Sequence, residues 1–233
     1  MAQSGNTASI QVQQRYTQQV LINERKSYLI TKRMMDIIGA LIGLIALSWL
    51  FFLVAVLIKL EDRKGPVFFK QVRVGKDGKE FYMYKFRSMV TDAEEKLQEL
   101  LKYNEVSGAM FKMKNDPRVT KIGKFIRKTS IDELPQLWNV LKGEMSLVGP
   151  RPPLPREVAQ YTEYDKQRFL VTPGCTGLWQ VSGRNDLGFR DMVELDLQYI
   201  RERSFLYDLK IIVKTIVIMI KPNVTIQPHH KVS

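Results

Sequence analysis

Residues 37–58 form an uninterrupted run of 22 positions without a charged side chain, bounded by Asp36 and Lys59. As one straight helix the run would be about 33 Å long, enough to cross a hydrocarbon core of about 30 Å. It begins too far into the chain, and is too long, to be the apolar part of a secretory signal peptide, which spans about 7–15 residues. The run therefore predicts a membrane-bound protein.

Positive charge lies on both sides of this run, which bears on whether the segment crosses the membrane. The basic residues are Arg15, Arg25, Lys26, Lys32 and Arg33 before it, and Lys59, Arg63, Lys64, Lys70 and Arg73 after it. Because basic flanks tend to stay cytoplasmic, a re-entrant hairpin that enters and leaves by one face satisfies both. Each arm would have about 11 residues, or roughly 16 Å, with a bend at Leu47-Ser48. A single span with the N-terminus outside is the open alternative.

The chain has 233 residues, enough for one domain with a real core. Its net charge of +12 favours an anionic partner: nucleic acid, a phosphorylated small molecule or an anionic membrane. The single Cys175 excludes an internal disulfide, and with only His229 and His230 there is no Cys/His zinc cluster. These features indicate a reducing, cytoplasm-facing environment.

Four segments are predicted: a polar arm at 1–31, a membrane-embedded helix or hairpin at 32–62, a catalytic domain at 63–221 and a tail at 222–233.

Within the domain at 63–221, the local patterns predict a β-hairpin and a series of amphipathic helices. The hairpin strands are expected at 67–74 and 79–87, around Asp77-Gly78. Helices are expected after a capping-box match at Thr91 and Glu94, over 119–128, over 134–142 before Gly143, and over 189–200. The proline-rich 145–155 and the glycine-rich 173–185 are expected to be irregular. Lys210, Lys214 and Lys221 share one face of an apolar segment, as in a helix at the membrane–water interface.

Asp132 and Glu133 are adjacent acids that follow a very basic stretch. Residues 118–128 contain five Lys or Arg and no acid. A carboxylate pair beside concentrated positive charge suits a site that holds a metal and a phosphate together, as phosphoryl transfer requires.

Ser130 and Glu133 also match the Ser-x-x-Glu pattern of a helix capping box, which is the purely structural interpretation. Pro135 argues against it, because it would then be the fifth helical residue and would remove a backbone hydrogen bond. We expect the helix to begin nearer Asp132, so that both carboxylates lie at a helix N-terminus, where anions are favoured.

Five motifs in order resemble the bacterial sugar transferase family, the monotopic phosphoglycosyl transferases, over about residues 32–221. They are Lys-Phe-Arg-Ser-Met at 85–89, Asp-Pro-Arg-Val-Thr at 116–120, Ser-Ile-Asp-Glu-Leu-Pro-Gln-Leu-Trp-Asn-Val-Leu-Lys-Gly at 130–143, Met-Ser-Leu-Val-Gly-Pro-Arg-Pro at 145–152, and Pro-Gly-Cys-Thr-Gly at 173–177 continuing to Gly-Arg-Asn at 183–185. The resemblance implies a mostly helical α+β monotopic membrane protein with a re-entrant or spanning N-terminal membrane helix, a small β-hairpin and interfacial amphipathic helices.

The resemblance also implies the reaction, which is transfer of a sugar 1-phosphate from a UDP-sugar to undecaprenyl phosphate with release of UMP. This step starts a lipid-linked surface glycan at the cytoplasmic face of the bacterial inner membrane. In the family the aspartate matching Asp132 is the nucleophile, and the residue matching Glu133 helps to hold Mg²⁺. Membrane lipid and later glycosyltransferases are candidate partners, and no nucleic acid is expected.

Six residues are candidates for substrate binding. Arg127 and Arg151 match family arginines that contact phosphate and substrate. Lys85 and Arg87 end a strand and are placed to meet an anion, although charges on a hairpin are often only solvated. Gln136, one helical turn from Asp132, is a candidate to orient it. Arg184 is a further candidate for a substrate phosphate, unless it only braces its loop.

The chain departs from the family at one position in the membrane segment. The family commonly has Ser-Pro at the middle of this segment, where proline breaks the helix, whereas this chain has Ser48-Trp49. The expected bend therefore lacks its most obvious cause.

A different class of function is a non-enzymatic membrane adaptor whose basic face binds anionic lipid or nucleic acid, with salt-sensitive binding that ignores loss of Asp132. A kinase or nucleotidyltransferase is disfavoured, because the sequence has no P-loop pattern. Relative to larger family members, the chain is expected to be a minimal catalytic unit. No motif encodes which hexose is transferred.

Overall fold

The computed structural model describes residues 20–105, 113, 115–183 and 187–220. Its helices in these ranges are α1 (Lys26–Ala46), α2 (Ser48–Glu61), α3 (Ala93–Leu100), α4 (Lys121–Lys128), α5 (Gln136–Lys142), α6 (Pro155–Val158), α7 (Glu163–Lys166), α8 (Phe189–Glu202) and α9 (Phe205–Ile220). Its strands are β1 (Phe68–Val74), β2 (Glu80–Phe86), β3 (Ser146–Val148) and β4 (Gly174–Thr176). The mostly helical α+β composition predicted from the sequence is confirmed.

The predicted β-hairpin is also confirmed. β1 and β2 pair antiparallel, with Phe68 opposite Phe86 and Val74 opposite Glu80. The chain reverses through Asp77 and Gly78, which have left-handed backbone angles of φ 57° and 74°. Asp tolerates this region and Gly favours it, which is why the Asp-Gly pair located the turn.

A bend separates α1 from α2. Within the described residues, no single helix is long and apolar enough to cross a membrane, whereas α1 and α2 meet that requirement together and are bent by 59°. The break falls at Leu47 (φ −98°, ψ 7°), the midpoint expected from the sequence. The hydrogen bonds around it persist, because the Leu47 N–H donates to Gly43 O and the Phe51 N–H donates to Leu47 O, each at 3.0 Å.

The two arms of the bent pair pack against different cores on either side of strand β2. The core partners of Ala40 on α1 are Met83, Val140 and Met145. The core partners of Val54 and Ile58 on α2 are Phe86 and Ile126. Since Met83 and Phe86 both belong to β2, a straight α1–α2 helix would pull one arm away from its core. The bend therefore has a tertiary cause and requires no proline.

Buried polar contacts fix α1 at its position. The Asp36 carboxylate accepts hydrogen bonds from Ser146 Oγ and the Leu147 N–H, both at 2.9 Å. The Arg33 guanidinium donates to the carbonyls of Val140 at 2.7 Å and Leu141 at 2.8 Å. These carbonyls belong to the last turn of α5, where the Val140 carbonyl also accepts from the Gly143 N–H at 3.0 Å. Arg33 thus joins α1 to the helix that follows the acid pair.

The end of α2 is held to the helix that precedes the acid pair. Glu61 accepts from the backbone N–H groups of Lys121 at 2.7 Å and Ile122 at 3.0 Å, the first two residues of α4. A carboxylate at this end satisfies free N–H donors. The α1–α2 pair therefore supports both helices that flank residues 129–135.

The largest hydrophobic core lies among β3, α8 and α9, and a buried ionic network connects it to α1. Lys32 Nζ donates to Asp208 Oδ2 at 2.9 Å and to the Val148 carbonyl at 3.0 Å. The Tyr199 hydroxyl donates to Asp208 Oδ1 at 2.7 Å. Asp208 is fully buried. The carboxylate of α9 is thereby paired with a cation from α1.

Two expectations about irregular structure were wrong. Residues 145–155 and 173–185 contribute β3 and β4, which pair in parallel with Ser146 opposite Gly174. A side chain at Gly174 is excluded, because its Cβ would lie 2.0 Å from the Gly149 backbone nitrogen. The short helix α6 and a 3₁₀ turn over Trp179–Val181 add further regular structure in these ranges.

The predicted helices are present with shifted ends. α4, α5 and α8 match the expected segments, and α5 ends at Gly143 with φ 82°. The capping box at Thr91 and Glu94 is not formed, because the N-cap of α3 is Asp92 and no side chain caps it. Lys210 and Lys214 lie on α9, and Lys221 is outside the described residues.

Candidate active site

The acid pair lies in a tight turn between α4 and α5. Ser130 has a left-handed φ of 57°, residues Ile131–Glu133 form a single 3₁₀ turn, and α5 begins only at Gln136. The prediction that both carboxylates lie at the N-terminus of an α-helix is therefore wrong. The alternative capping box is absent too, because the Ser130 side chain makes no cap hydrogen bond. A left-handed serine costs about 1 kcal/mol, and such strain is concentrated at functional sites.

Asp132 is the more buried of the two acids, with 8% of its surface exposed. Burial raises the pKa of its carboxyl to about 6, an effect opposed by the positive charges of Lys85 and Arg127 and reinforced by Glu133. Among the described residues no cation lies within ion-pair distance of this carboxylate. Asp132 is therefore a desolvated acid that ionises near neutral pH.

Glu133 is less buried than Asp132 and is paired. Lys85 Nζ, at the end of β2, lies 2.6 Å from Glu133 Oε1, and 41% of the Glu133 side chain is exposed. The two adjacent acids thus have different environments, one buried and unpaired and one exposed and paired. Such separation is typical of carboxylates that have different chemical roles.

A cavity of about 330 Å³ opens beside this pair. The charged and polar residues that line it include Arg73, Lys85, Ser130, Glu133, Gln136 and Arg151. The apolar residues that line it include Leu137, Leu147, Val181, Ile212, Ile216 and Met219. Asp132 does not line the cavity itself, whereas its chain neighbours Ser130 and Glu133 do. The cavity therefore joins a charged end at the acid pair to an apolar wall supplied largely by α9.

The structure brings most, but not all, of the predicted site residues together. Lys85, Gln136 and Arg151 line the cavity with Glu133. Arg127 is exposed on α4 and does not line the cavity, although its charge acts on Asp132.

Arg87 and Arg184 are the two candidates that are not placed in the cavity wall. Arg87 is buried and forms a salt bridge with Asp62, whose carbonyl also accepts from it at 3.0 Å. This arginine therefore joins β2 to the segment that follows α2. Arg184 lies outside the described residues.

Three residues of the cavity wall were missed by the sequence analysis as site residues. Arg73 Nε, Trp179 Nε1 and Gln180 Oε1 are buried atoms that have no hydrogen-bond partner among the described residues. Buried polar groups in native proteins are rarely left unsatisfied, so their position favours a polar ligand. The sequence had one weak signal, an arginine between the two valines at 72 and 74 in a predicted strand.

The cavity also contains the only cysteine of the chain. Cys175 is a free thiol in the cavity wall. Burial raises the pKa of this thiol above its usual range, and the charges of Glu133 and Asp36 add to the effect. Because the thiolate is the reactive form, Cys175 is a poor nucleophile.

The described residues contain no group of three or more His, Cys, Asp or Glu side chains that could hold a metal ion. Glu133, with Asp132 next to it, remains as a carboxylate at the cavity. This donor set fits Mg²⁺, which usually keeps several waters and binds through one or two carboxylates together with substrate phosphates.

Comparison with known proteins agrees with the family resemblance of the motifs. The chain is 52% identical over 197 residues to the galactosyl transferase CpsE of Streptococcus agalactiae, covering 83% of this chain and 43% of that protein. It is 43% identical over 201 residues to the undecaprenyl-phosphate galactose phosphotransferase of Salmonella typhimurium, covering 84% and 42%. It is 43% identical over 189 residues to the exopolysaccharide production protein ExoY of Rhizobium meliloti, covering 79% and 83%.

The chain thus spans about two fifths of the first two relatives and most of the third. The shared region includes the acid pair, the hairpin and the residues of the cavity wall. The family model for bacterial sugar transferases matches residues 27–222, from the start of α1 to just beyond α9. With that match over most of its length, the chain belongs to the bacterial sugar transferase family.

Proposed function

We propose that this chain transfers a sugar 1-phosphate from a UDP-sugar to undecaprenyl phosphate, releasing UMP, at the cytoplasmic face of a bacterial inner membrane. The observation that carries the proposal is the position of the buried Asp132. It is the chain neighbour of Glu133, which pairs with Lys85 in the wall of a cavity lined by both charged and apolar residues. The charged residues suit a diphosphate, and the apolar residues suit a polyprenyl chain. The names of the relatives, which include undecaprenyl-phosphate phosphotransferases, support this assignment.

In the first step an oxygen of the Asp132 carboxylate forms a bond to the β-phosphorus of the donor. The bond from that phosphorus to the bridging oxygen breaks, and the oxygen leaves with the electron pair on UMP. In the second step an oxygen of undecaprenyl phosphate forms a bond to the same phosphorus, and Asp132 leaves as a free carboxylate. A covalent intermediate divides one difficult displacement into two easier ones.

Burial of Asp132 suits a nucleophile. A carboxylate whose pKa is raised to about 6 is a stronger base than one in water, yet it is still mostly ionised at pH 7. Because Asp132 does not line the cavity, its access to the donor requires a movement of the turn that carries it. The short 3₁₀ turn that carries the acids has few backbone hydrogen bonds to hold it in place.

Glu133 and Lys85 have complementary roles in this proposal. Glu133 would hold Mg²⁺, which would supply positive charge to the diphosphate. Lys85, the ion-pair partner of Glu133, carries an ammonium group that can donate to a phosphate oxygen. Arg151, in the same wall, presents a planar group that suits bidentate phosphate contacts.

The apolar surfaces of the helices suit immersion in lipid. Ile42 and Ile45 on α1, Phe52 on α2, and Leu206 and Val213 on α9 are large apolar side chains that are more than half exposed. Contiguous exposed apolar surface is typical of membrane contact. In this arrangement α1 and α2 form a re-entrant hairpin, and α9 lies where a polyprenyl chain enters the cavity from the bilayer.

The experiment that tests the proposal measures UMP release by the purified protein with Mg²⁺ and undecaprenyl phosphate. UDP-galactose and UDP-glucose come first among the donors, because galactose and glucose occur in the names of relatives. Asp132→Asn is expected to lower the rate more than about a thousandfold, since a lost nucleophile removes the covalent route. Chelation of Mg²⁺ with EDTA is expected to abolish turnover.

Glu163→Gln is the matched control, because Glu163 is an exposed carboxylate on α7. This variant should retain full activity. Unchanged UMP release by Asp132→Asn would refute the nucleophile. Salt-sensitive lipid binding without UMP release from any donor would favour the adaptor function instead.

A further inference from the structure

Arg73 is a buried arginine in the cavity wall, with 5% of its surface exposed. Its Nη1 donates to the Pro152 carbonyl at 2.9 Å, and its Nη2 donates to Gln71 Oε1 at 2.8 Å. Its Nε is buried without a partner among the described residues. A guanidinium has five N–H donors, of which these bonds use two. The side chain is therefore held in place and still has N–H groups available for further hydrogen bonds.

The charge of Arg73 lacks a partner in the described part of the chain, where no carboxylate lies within ion-pair distance of it. Glu157 and Glu133 attract this charge from further away, while Arg151 and Arg156 repel it. Burial lowers the pKa of Arg73 to about 10, with a further contribution from Arg151. The side chain is still charged at pH 7, and burying a charge without a partner is costly.

Arg168 is a buried arginine with a structural role, and it provides a comparison for Arg73. It is 2% exposed, and its Nε donates to the fully buried Asp196 carboxylate at 2.8 Å. Arg73 has an equally buried position but no such carboxylate. The difference coincides with the cavity, because Arg73 lines it and Arg168 does not.

The cavity wall as a whole carries excess positive charge. Its charged residues are the three cations Arg73, Lys85 and Arg151 and the one carboxylate Glu133, so 3 − 1 leaves +2. Lys85 and Glu133 already pair with each other. Arg73 therefore contributes to the excess charge on this wall.

We propose that Arg73 binds a phosphate group of a substrate, and that this phosphate is the ion-pair partner which the described residues do not provide. The inference rests on the proposed function and adds to it a binding residue on the β-hairpin. The ligand chemistry is a phosphate ester anion, carried either by the nucleotide donor or by the lipid acceptor. A guanidinium with free N–H groups is well suited to this contact.

The test separates binding from folding. Arg73→Met removes the charge and keeps much of the volume, Arg73→Lys keeps the charge without the planar fork, and Arg168→Met is the matched control. Three quantities are measured for the full-length protein in detergent. They are the melting temperature without ligand, the Kd for UDP by calorimetry, with uridine as a probe that lacks phosphate, and the KM for undecaprenyl phosphate.

Arg73→Met is expected to melt at or above the wild-type temperature, because it removes a buried charge that has no partner. Its affinity for UDP should fall about ten- to hundredfold, as expected for the loss of a charge-assisted contact. Arg73→Lys should recover part of this affinity, while binding of uridine should not change. Arg168→Met should melt well below wild type, because it leaves Asp196 buried without its cation.

The source of the phosphate follows from which constant changes. If Arg73→Met binds UDP more weakly, Arg73 contacts the phosphate of the nucleotide substrate. If the Kd for UDP is unchanged and the KM for undecaprenyl phosphate rises by a comparable factor, Arg73 contacts the phosphate of the lipid acceptor. The proposal would be overturned if Arg73→Met melts below wild type, as is expected of Arg168→Met, while the Kd for UDP and the KM for undecaprenyl phosphate are unchanged. If Arg73→Met does not fold, the Kd for UDP and the KM for undecaprenyl phosphate of Arg73→Lys test the proposal instead.

The failure of this inference is distinguishable from failure of the proposed function. If the wild-type protein releases no UMP from any UDP-sugar, the proposed function fails. If the wild type is active, Asp132→Asn is inactive and Arg73 variants bind both substrates normally, only the inference about Arg73 is overturned.

Discussion

At the scale of single residues, Asp132 combines a proposed chemical role with a cost to stability. Its carboxyl is buried and has no ion pair among the described residues, and burial raises its pKa to about 6. The folded state therefore binds more protons than the unfolded state between about pH 4 and pH 6. As the pH rises through that window, the buried carboxyl loses its proton and the free energy of unfolding decreases. Above the window the decrease reaches its full value of about 3 kcal/mol.

We therefore expect Asp132→Asn to stabilise the metal-free protein in a pH-dependent way. The melting temperature of the variant relative to wild type should rise from pH 4 to pH 6 and then stay constant. The measurement is thermal unfolding in detergent with EDTA across pH 4–8. Glu163→Gln, at an exposed carboxylate, should show a difference near zero. A difference for Asp132→Asn that is constant or falls with pH would contradict the burial argument.

The acid pair also shows what the sequence can and cannot predict about a site. The two acids, the basic stretch before them and Pro135 were enough to predict a site at residues 132–133. Two arginines were harder to assign, because Arg87 pairs with Asp62 across 25 residues, whereas Arg73 lines the cavity. The local sequence shows that a side chain is charged, but the tertiary fold determines which groups that side chain contacts.

At the scale of elements, the bend between α1 and α2 was predicted at the right place but for an incomplete reason. Symmetric basic flanks and the length of the apolar run located it at Leu47-Ser48. The absence of proline at Trp49 seemed to remove its cause. The structure supplies another, since each arm is buried against a different core beside β2. Parallel pairing of β3 with β4 was missed for a related reason, because its partners are 28 residues apart.

If packing rather than proline sets the bend, proline should still be tolerated at the break. Trp49 is the second residue of α2, where proline is compatible with a helix, and its side chain is exposed. We expect Trp49→Pro to change the free energy of unfolding by less than about 1 kcal/mol, against about 3 kcal/mol or more for Leu53→Pro.

Leu53 is the matched control, because it is also exposed but lies in the interior of α2. Both variants are compared by denaturant unfolding in the same detergent. Equal losses of stability at the two positions would show that the break behaves as ordinary helix interior.

At the scale of the whole molecule, α1 and α2 are joined by polar contacts to the rest of the described chain. Lys32, Arg33 and Asp36 on α1 contact α9, α5 and β3, and Glu61 caps α4. Since these contacts tie both the first half of α1 and the end of α2 to the same domain, we expect both ends of the bent pair to face the same compartment.

Labelling of single cysteines in a Cys175→Ala background tests this topology in intact cells. Ser9→Cys reports on the segment before α1, and Asp77→Cys reports on the hairpin turn of the catalytic domain. With a membrane-impermeant maleimide, we expect neither position to be labelled until the cells are permeabilised. Labelling of Ser9→Cys alone in intact cells would indicate a single span with the N-terminus outside.

The central claim is that the Asp132 carboxylate carries the sugar phosphate between the two substrates. The most direct measurement is mass spectrometry of the protein after incubation with its UDP-sugar and Mg²⁺ in the absence of undecaprenyl phosphate. We expect an adduct with the mass of a hexose phosphate on the peptide that contains Asp132, lost when undecaprenyl phosphate is added and absent from Asp132→Asn. An active enzyme that forms no adduct, or that carries it on another residue, would contradict the account.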